Sequence, residues 1–158
     1  KVTSDDIATM PQLEDKKVII GQLMMERMMG AAYQAQPTMY PMIIFNMVQT
    51  SIQHGNNSSA CVAFALMAML YQSVFGNPSK ASDLVVAADQ LLSSPDVQEV
   101  GRVKARSIMI CYCFVHHWHS PIQQTLAPFI EGYQAGLYSG DTEAASVNLS
   151  SRSIHLFS

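Results

Sequence analysis

Charge is what this sequence has least of. Asp, Glu, Lys and Arg make up 13% of its 158 residues, about half the usual share of roughly 25%. None of the four occurs between Arg27 and Lys80. That is too little to wet a surface on every side, so some outer face is expected to be covered by other protein, either other chains or other domains of the same chain. Net charge is −3, and Arg102, Lys104 and Arg106 form the only local basic cluster. Binding to nucleic acid, which runs on phosphate neutralisation, is therefore not expected. Cysteine is scarce as well: three residues, an odd count without a secretory signal, which points to a cytoplasmic or other reducing intracellular compartment. The two Asn-x-Ser triplets, at Asn57 and Asn148, fall at or inside expected helices and read as chance matches rather than glycan acceptors.

Long hydrophobic runs come close to a membrane signal without reaching it. Apolar residues make up 49%, and the run from Cys61 to Val74 is apolar almost all round. A spanning helix needs about 20 such residues, and the whole helix, from its caps at 56–58 to Phe75, offers roughly 17, interrupted by Gln72 and Ser73 and lacking Lys or Arg at either flank. A central helix buried by its neighbours is the expectation, and a membrane segment is not.

What is present is helix punctuation. Asp15 is placed to cap a helix over 15–34, with Val18, Ile19, Leu23, Met24, Met28 and Ala31 as its core stripe. Gly21 and Gly30 within it are expected to permit close helix packing. A second helix starts near Thr38, takes Pro41 in its first turn and stops at His54-Gly55. Asn56, Asn57 and Ser58 offer caps for the apolar helix, expected to run to Phe75. Gly76-Asn77-Pro78 then gives a glycine stop, a cap and a proline at the first helical position of a helix over 78–93. Asp96 with Glu99 reads as a capping box opening a helix that runs to Trp118 or His119.

The corner from Phe114 to Asp141 shows the plan most fully. Ser120 as N-cap, Pro121 at the first helical position and Gln123 three after the cap predict a capping box. Leu126, Phe129, Ile130, Tyr133 and Leu137 recur at helical spacing as a core stripe. Gly140 can end that helix in the left-handed conformation, and Asp141 caps the next, which runs over 141–158 with Glu143 in its first turn. Trp118 is expected to pack on the helix that follows, and His117 to bond a backbone carbonyl. Before Ile7, Thr3 or Ser4 could cap a short turn that stops at Pro11.

These elements predict an all-α chain of about seven helices in one repeat domain. Its antiparallel hairpins fall at about 15–55, 57–93 and 96–140, with a last helix over 141–158. Their stops lie roughly 40 to 45 residues apart, longer than a strict tetratricopeptide unit of about 34. Such hairpins stack because each leaves an apolar face that only a neighbour buries. The unpaired last helix predicts a piece of a longer array, and Lys rather than Met at the first position predicts a chain that is processed or truncated.

His117-Trp118, Ser120-Pro121, the segment GYQAGLYSGD with its Gly136, and Ala144-Ala145 resemble a known family. So does the upstream segment from Met28 to Leu70, with Pro37, Pro41, His54-Gly55 and Ser59 in place. It is the tetratricopeptide-like helical region of very large signalling proteins. These also carry a Ser/Thr-kinase-like domain, a STAND-type AAA ATPase and often GAF and histidine-kinase domains. The likeness covers about 20–148. His119 stands where the family has Lys or Arg, and Tyr138-Ser139 where it has Glu-Thr. The resemblance implies an α-solenoid arm that binds protein, and no catalysis, since the motifs concerned pack and cap helices and the kinase and phosphate-loop motifs are absent here.

Two sharper readings centre on Cys111, Cys113, His116, His117 and His119. On one helix Cys111 and Cys113 point about 200° apart, whereas zinc requires converging ligands. A Cys-His nucleophile would need a thiolate-favouring site, and Ile110 and Phe114 make the surroundings apolar. Paired carboxylates such as Asp5/Asp6 and Asp83/Asp89 read as solvated. The expectation is a non-catalytic interaction or regulatory scaffold with no metal, cofactor or small-molecule substrate. The alternative is a structural subunit of a larger complex. The eleven methionines read as core filling before they read as an adaptable peptide groove.

Overall fold

A computed structural model of the chain describes residues 3–158 and is all-helical there, with eight α-helices and no strand. They are α1 (Ser4–Ala8), α2 (Lys16–Ala35), α3 (Tyr40–His54), α4 (Ser58–Ser73), α5 (Pro78–Ser93), α6 (Val100–Phe114), α7 (Leu126–Ser139) and α8 (Thr142–Leu156). Seven answer to the expected helices, and α1 is the expected short turn around Ile7, capped by Thr3 in a box with Asp6.

Most ends form for the reasons the residue types give. Asp15, Asn57, Asn77 and Asp141 each accept a backbone N–H in the first turn of the helix they cap. Gly55, Gly76 and Gly140 have φ of 105°, 59° and 77°, where a side chain would be strained. Pro78 occupies the first turn of α5.

Two starts differ. α6 begins at Val100, not Asp96: Glu99 precedes it in a left-handed conformation and provides no side-chain cap. α7 begins at Leu126, after a 3₁₀ turn over Ile122–Thr125, so Ser120, Pro121 and Gln123 do not form a capping box. Pro121 instead has φ −53° and ψ 134°, an extended conformation that turns the chain before the helix. A second 3₁₀ turn, His116–Trp118, ends α6 early.

The core is built around α4, buried from Ser58 through Leu70. Val62 and Leu66 lie on one side of it and Phe64 on another, and all are covered, each contributing about 1.5–3 kcal/mol of transfer free energy. The neighbours that cover it are α2, α3, α5 and α6. Among the described residues no helix is long and apolar enough to cross a membrane. From α2 onward each helix touches the next, and a second set of contacts links α2 to α4, α4 to α6 and α6 to α8.

Glycine positions separate into two kinds. Gly132 and Gly136 form the buried face of α7 with Phe129. A Cβ on Gly132 would come within 2.6 Å of the Asn148 side chain, and one on Gly136 within 2.7 Å of the Ala145 Cβ. Leu137, expected in the core, is exposed instead. Gly21 and Gly30 of α2 have open space where a Cβ would go, so they do not mediate close packing within this chain.

Candidate functional site

The largest departure from the expected pattern lies on α2. Its buried line is Gln22, Glu26 and Met29, while Ile20, Met24 and Met28 are each more than half exposed. Ala31 is exposed too, and Val18, Ile19 and Leu23 are half-buried. The apolar stripe of Met24, Met28 and Ala31 therefore faces outward. The inward polar groups find partners that lie far off in sequence. Gln22 Nε2 donates to the Met47 carbonyl at 3.1 Å and to Ser51 Oγ at 3.0 Å. Glu26 accepts from Ser59 Oγ at 2.5 Å and from two nitrogens of Arg102 at 2.7 and 3.1 Å. Arg102 also donates to Ser58 Oγ at 2.9 Å. One ion pair thus joins α2, the start of α4 and the start of α6.

The other two cations of α6 do similar work. Lys104 pairs with Glu131 of α7 at 2.5 Å. Arg106 makes a forked contact with Asp141 at 3.0–3.1 Å and reaches Glu143 at 3.3 Å. Burial works against the Arg106 charge, but Asp141 and Glu143 outweigh it and raise its pKa above the ordinary value. Asp141 caps α8 with the same carboxylate. The basic cluster seen in the sequence is thus spent on ion pairs within the chain, which tie α6 to α2, to α7 and to the start of α8.

Among the hollows on the surface, two are lined chiefly by apolar side chains. The first, about 180 Å³, is floored by Leu66 and Met69 of α4, flanked by Met29 and Tyr33 of α2 and by Met109 and Phe114 of α6, and closed at one end by Arg106 and Glu143. The second, about 410 Å³, lies between α3 and α5, with Val48, Phe64 and Met67 beneath it. Both are mainly apolar, with methionine and aromatic side chains that adapt to varied apolar partners.

The corner residues behave differently from expectation. Trp118 is 67% exposed and does not pack on α7. His117 Nδ1 is buried with no hydrogen-bond partner, and its ring lies 5.2 Å from that of Trp118 and 5.7 Å from that of His155. Thr125 Oγ1 lies 2.6 Å from the Ile122 carbonyl, to which it donates, and 2.7 Å from His155 Nδ1. Tyr133 is half-buried. The proximity of His155 was not legible in the sequence, since it lies on another helix.

The cysteines are poor nucleophiles here. Burial pushes the Cys61 thiol up to about 12 and the Cys111 thiol well above its ordinary range. Burial also raises the Cys113 pKa, opposed by a hydrogen bond with Ser151 at 3.0 Å. His116 lies 3.7 Å from Asp89, and His119 Nε2 lies 3.2 Å from Gln72 Oε1. Among the described residues no three His, Cys, Asp or Glu side chains converge as a metal site would require. Asn148 is buried, donating to the Ala105 and Ala144 carbonyls at 2.9 and 2.8 Å, so its triplet is closed to a glycan in this fold.

No protein-family model matches the chain, and neither does any curated protein or solved structure.

Proposed function

We propose that this chain is a non-catalytic helical scaffold that works by binding protein, built as a tetratricopeptide-like array of hairpins. The observation that carries this reading is the reversed face of α2, which turns Ile20, Met24 and Met28 to solvent and buries Gln22 and Glu26. An apolar helical stripe left in water costs free energy that contact with another protein surface recovers. The low charge content points the same way. The contacts that link α2, α4, α6 and α8 in series support the hairpin-array reading, in which alternate helices line one side.

The resemblance in the corner and cap motifs supports reading this scaffold as the helical arm of a large STAND-type signalling ATPase. There it would hold a protein partner, or the ATPase itself, in one of two geometries and shift their balance. The mass of the native polypeptide tests that placement. A chain far larger than 17.4 kDa, with a phosphate-binding loop in the flanking sequence, is the expected result. A mature chain of about that mass held only inside an assembly overturns the signalling arm and leaves a structural subunit.

A further inference from the structure

Residues 3–13 are fastened across the joint between α3 and α4 at two places of unequal strength. The firmer is a clasp around Asn56. Its N–H donates to the Pro11 carbonyl at 2.8 Å, its carbonyl accepts from Leu13 N–H at 2.8 Å, and Leu13 is buried. Gly55 lets the two backbones meet, since a Cβ there would collide with the Pro11 carbonyl. The weaker place is α1, five residues with one of them, Ile7, buried. Its capping box closes on itself. Beyond it, Gln90 Nε2 lies 3.4 Å from Asp5, and Asn56 Nδ2 donates to the Ile7 carbonyl at 2.6 Å. A helix of this length has no stability of its own.

α1 packs on α5, and Thr3, Ser4 and Ile7 form one wall of the 410 Å³ hollow. Phe45 and Ile52 of α3 and Leu84 of α5 line it as well, with Lys80 and Asp83 as its charged residues. α1 therefore shows what this groove accepts: a short helix that presents one branched apolar anchor, Ile7, while its two acids stay outside. It does not fill the space. Five helical residues span about 7.5 Å, whereas Phe45 to Ile52 along α3 spans about 10 Å.

We propose that α1 is a built-in stopper of a helix-binding groove. It swings out about Thr9–Pro11 while the clasp holds, and an amphipathic helix of two or three turns takes its place. That helix carries an Ile or Leu anchor in the place of Ile7. The proposal rests on the protein-binding reading and names the kind of partner.

Two measurements on the full chain test it. By hydrogen exchange, the amides of Ile7 in α1 and of Thr9 at its C-terminal cap exchange at least about tenfold faster than those of Leu13 and Asn56 in the clasp. The second uses a labelled peptide whose first turn copies Thr3 to Ile7 and whose next two turns carry Leu on the same face. It binds Ile7→Ser at least about tenfold more tightly than the unaltered chain, because the competing occupant is gone. It does not bind a chain in which Asp5→Cys and Gln90→Cys are joined by a disulfide, until reductant is added. Equal exchange at α1 and clasp overturns the stopper and leaves the scaffold reading intact. Fast exchange with no peptide bound to any of the three chains overturns both the stopper and this groove as a binding surface.

Discussion

Removing the Arg102 side chain is expected to cost more than removing any other surface charge, because its partner is trapped. The Glu26 side chain is 5% exposed and that of Arg102 23%. Arg102→Ala leaves the carboxylate with Ser59 Oγ as its remaining donor. Stripping one partner from a buried ion pair costs about 3–5 kcal/mol. Arg102 is partly wet, so water can enter its place, and about 2–3 kcal/mol is the better figure. For a chain of this size each kcal/mol moves Tm by about 2–4 °C, so a fall of about 4–12 °C is expected. Urea unfolding followed by helical circular dichroism measures it. The double change Glu26→Leu with Arg102→Met should recover most of the loss, since well-packed apolar groups often replace a buried pair at little cost. The Ser58 and Ser59 hydroxyls would then lack this partner, costing about 1 kcal/mol. A loss below about 0.5 kcal/mol for Arg102→Ala, the size expected at an ordinary surface site, would refute the view that this pair fastens three helices.

Glycine substitutions should divide by position. Gly136→Ala meets the backbone nitrogen of Ala145 and the Asp141 carbonyl at 2.9 Å and is expected to lose about 1–3 kcal/mol, whereas Gly30→Ala, with open space around it, should gain up to about 1 kcal/mol. Equal urea midpoints for the two would contradict the packing of α7 on α8. Alkylation by iodoacetamide at neutral pH should spare Cys61 and Cys111 in the folded chain, because burial holds both thiols protonated, and modify all three cysteines after unfolding. The pKa of His155 is lowered by burial and by His117, so the unfolded chain takes up this proton first as pH falls. A small stabilising contribution present above about 6.5 is then lost as pH drops through the folded value. His155→Gln should remove that part of the pH dependence in urea unfolding.

Much of the fold could be read from local chemistry. Asp15, Asn57, Asn77 and Asp141 cap helices because a short polar side chain reaches a first-turn N–H from a fixed place in the chain. The same reasoning missed the start of α7, where Pro121 takes an extended conformation rather than a helical one. It also misplaced the faces of α2 and α7. Periodicity weighs side chains by hydrophobicity, so it assigned Met24, Met28 and Leu137 to the core. The fold instead buries Glu26 and two glycines, for reasons supplied by residues far along the chain: Arg102 for Glu26, Ala145 and Asn148 for the glycines. The grooves were less legible still. Asn56 was readable as a cap candidate, but its role as a clasp depends on Pro11 and Leu13 returning to it in space.

Oxidation of methionines, read by mass spectrometry residue by residue, tests the scaffold account most directly. In the isolated chain Met24 and Met42, 61% and 62% exposed, should oxidise quickly, and Met29 and Met47, at 3% and 0%, slowly. The account predicts that in the native cellular assembly Met24 and its neighbours on α2 become as slow as the buried pair. Equal oxidation of Met24 and Met28 in the isolated chain and in the native assembly would contradict the claim that this outward face is a contact surface.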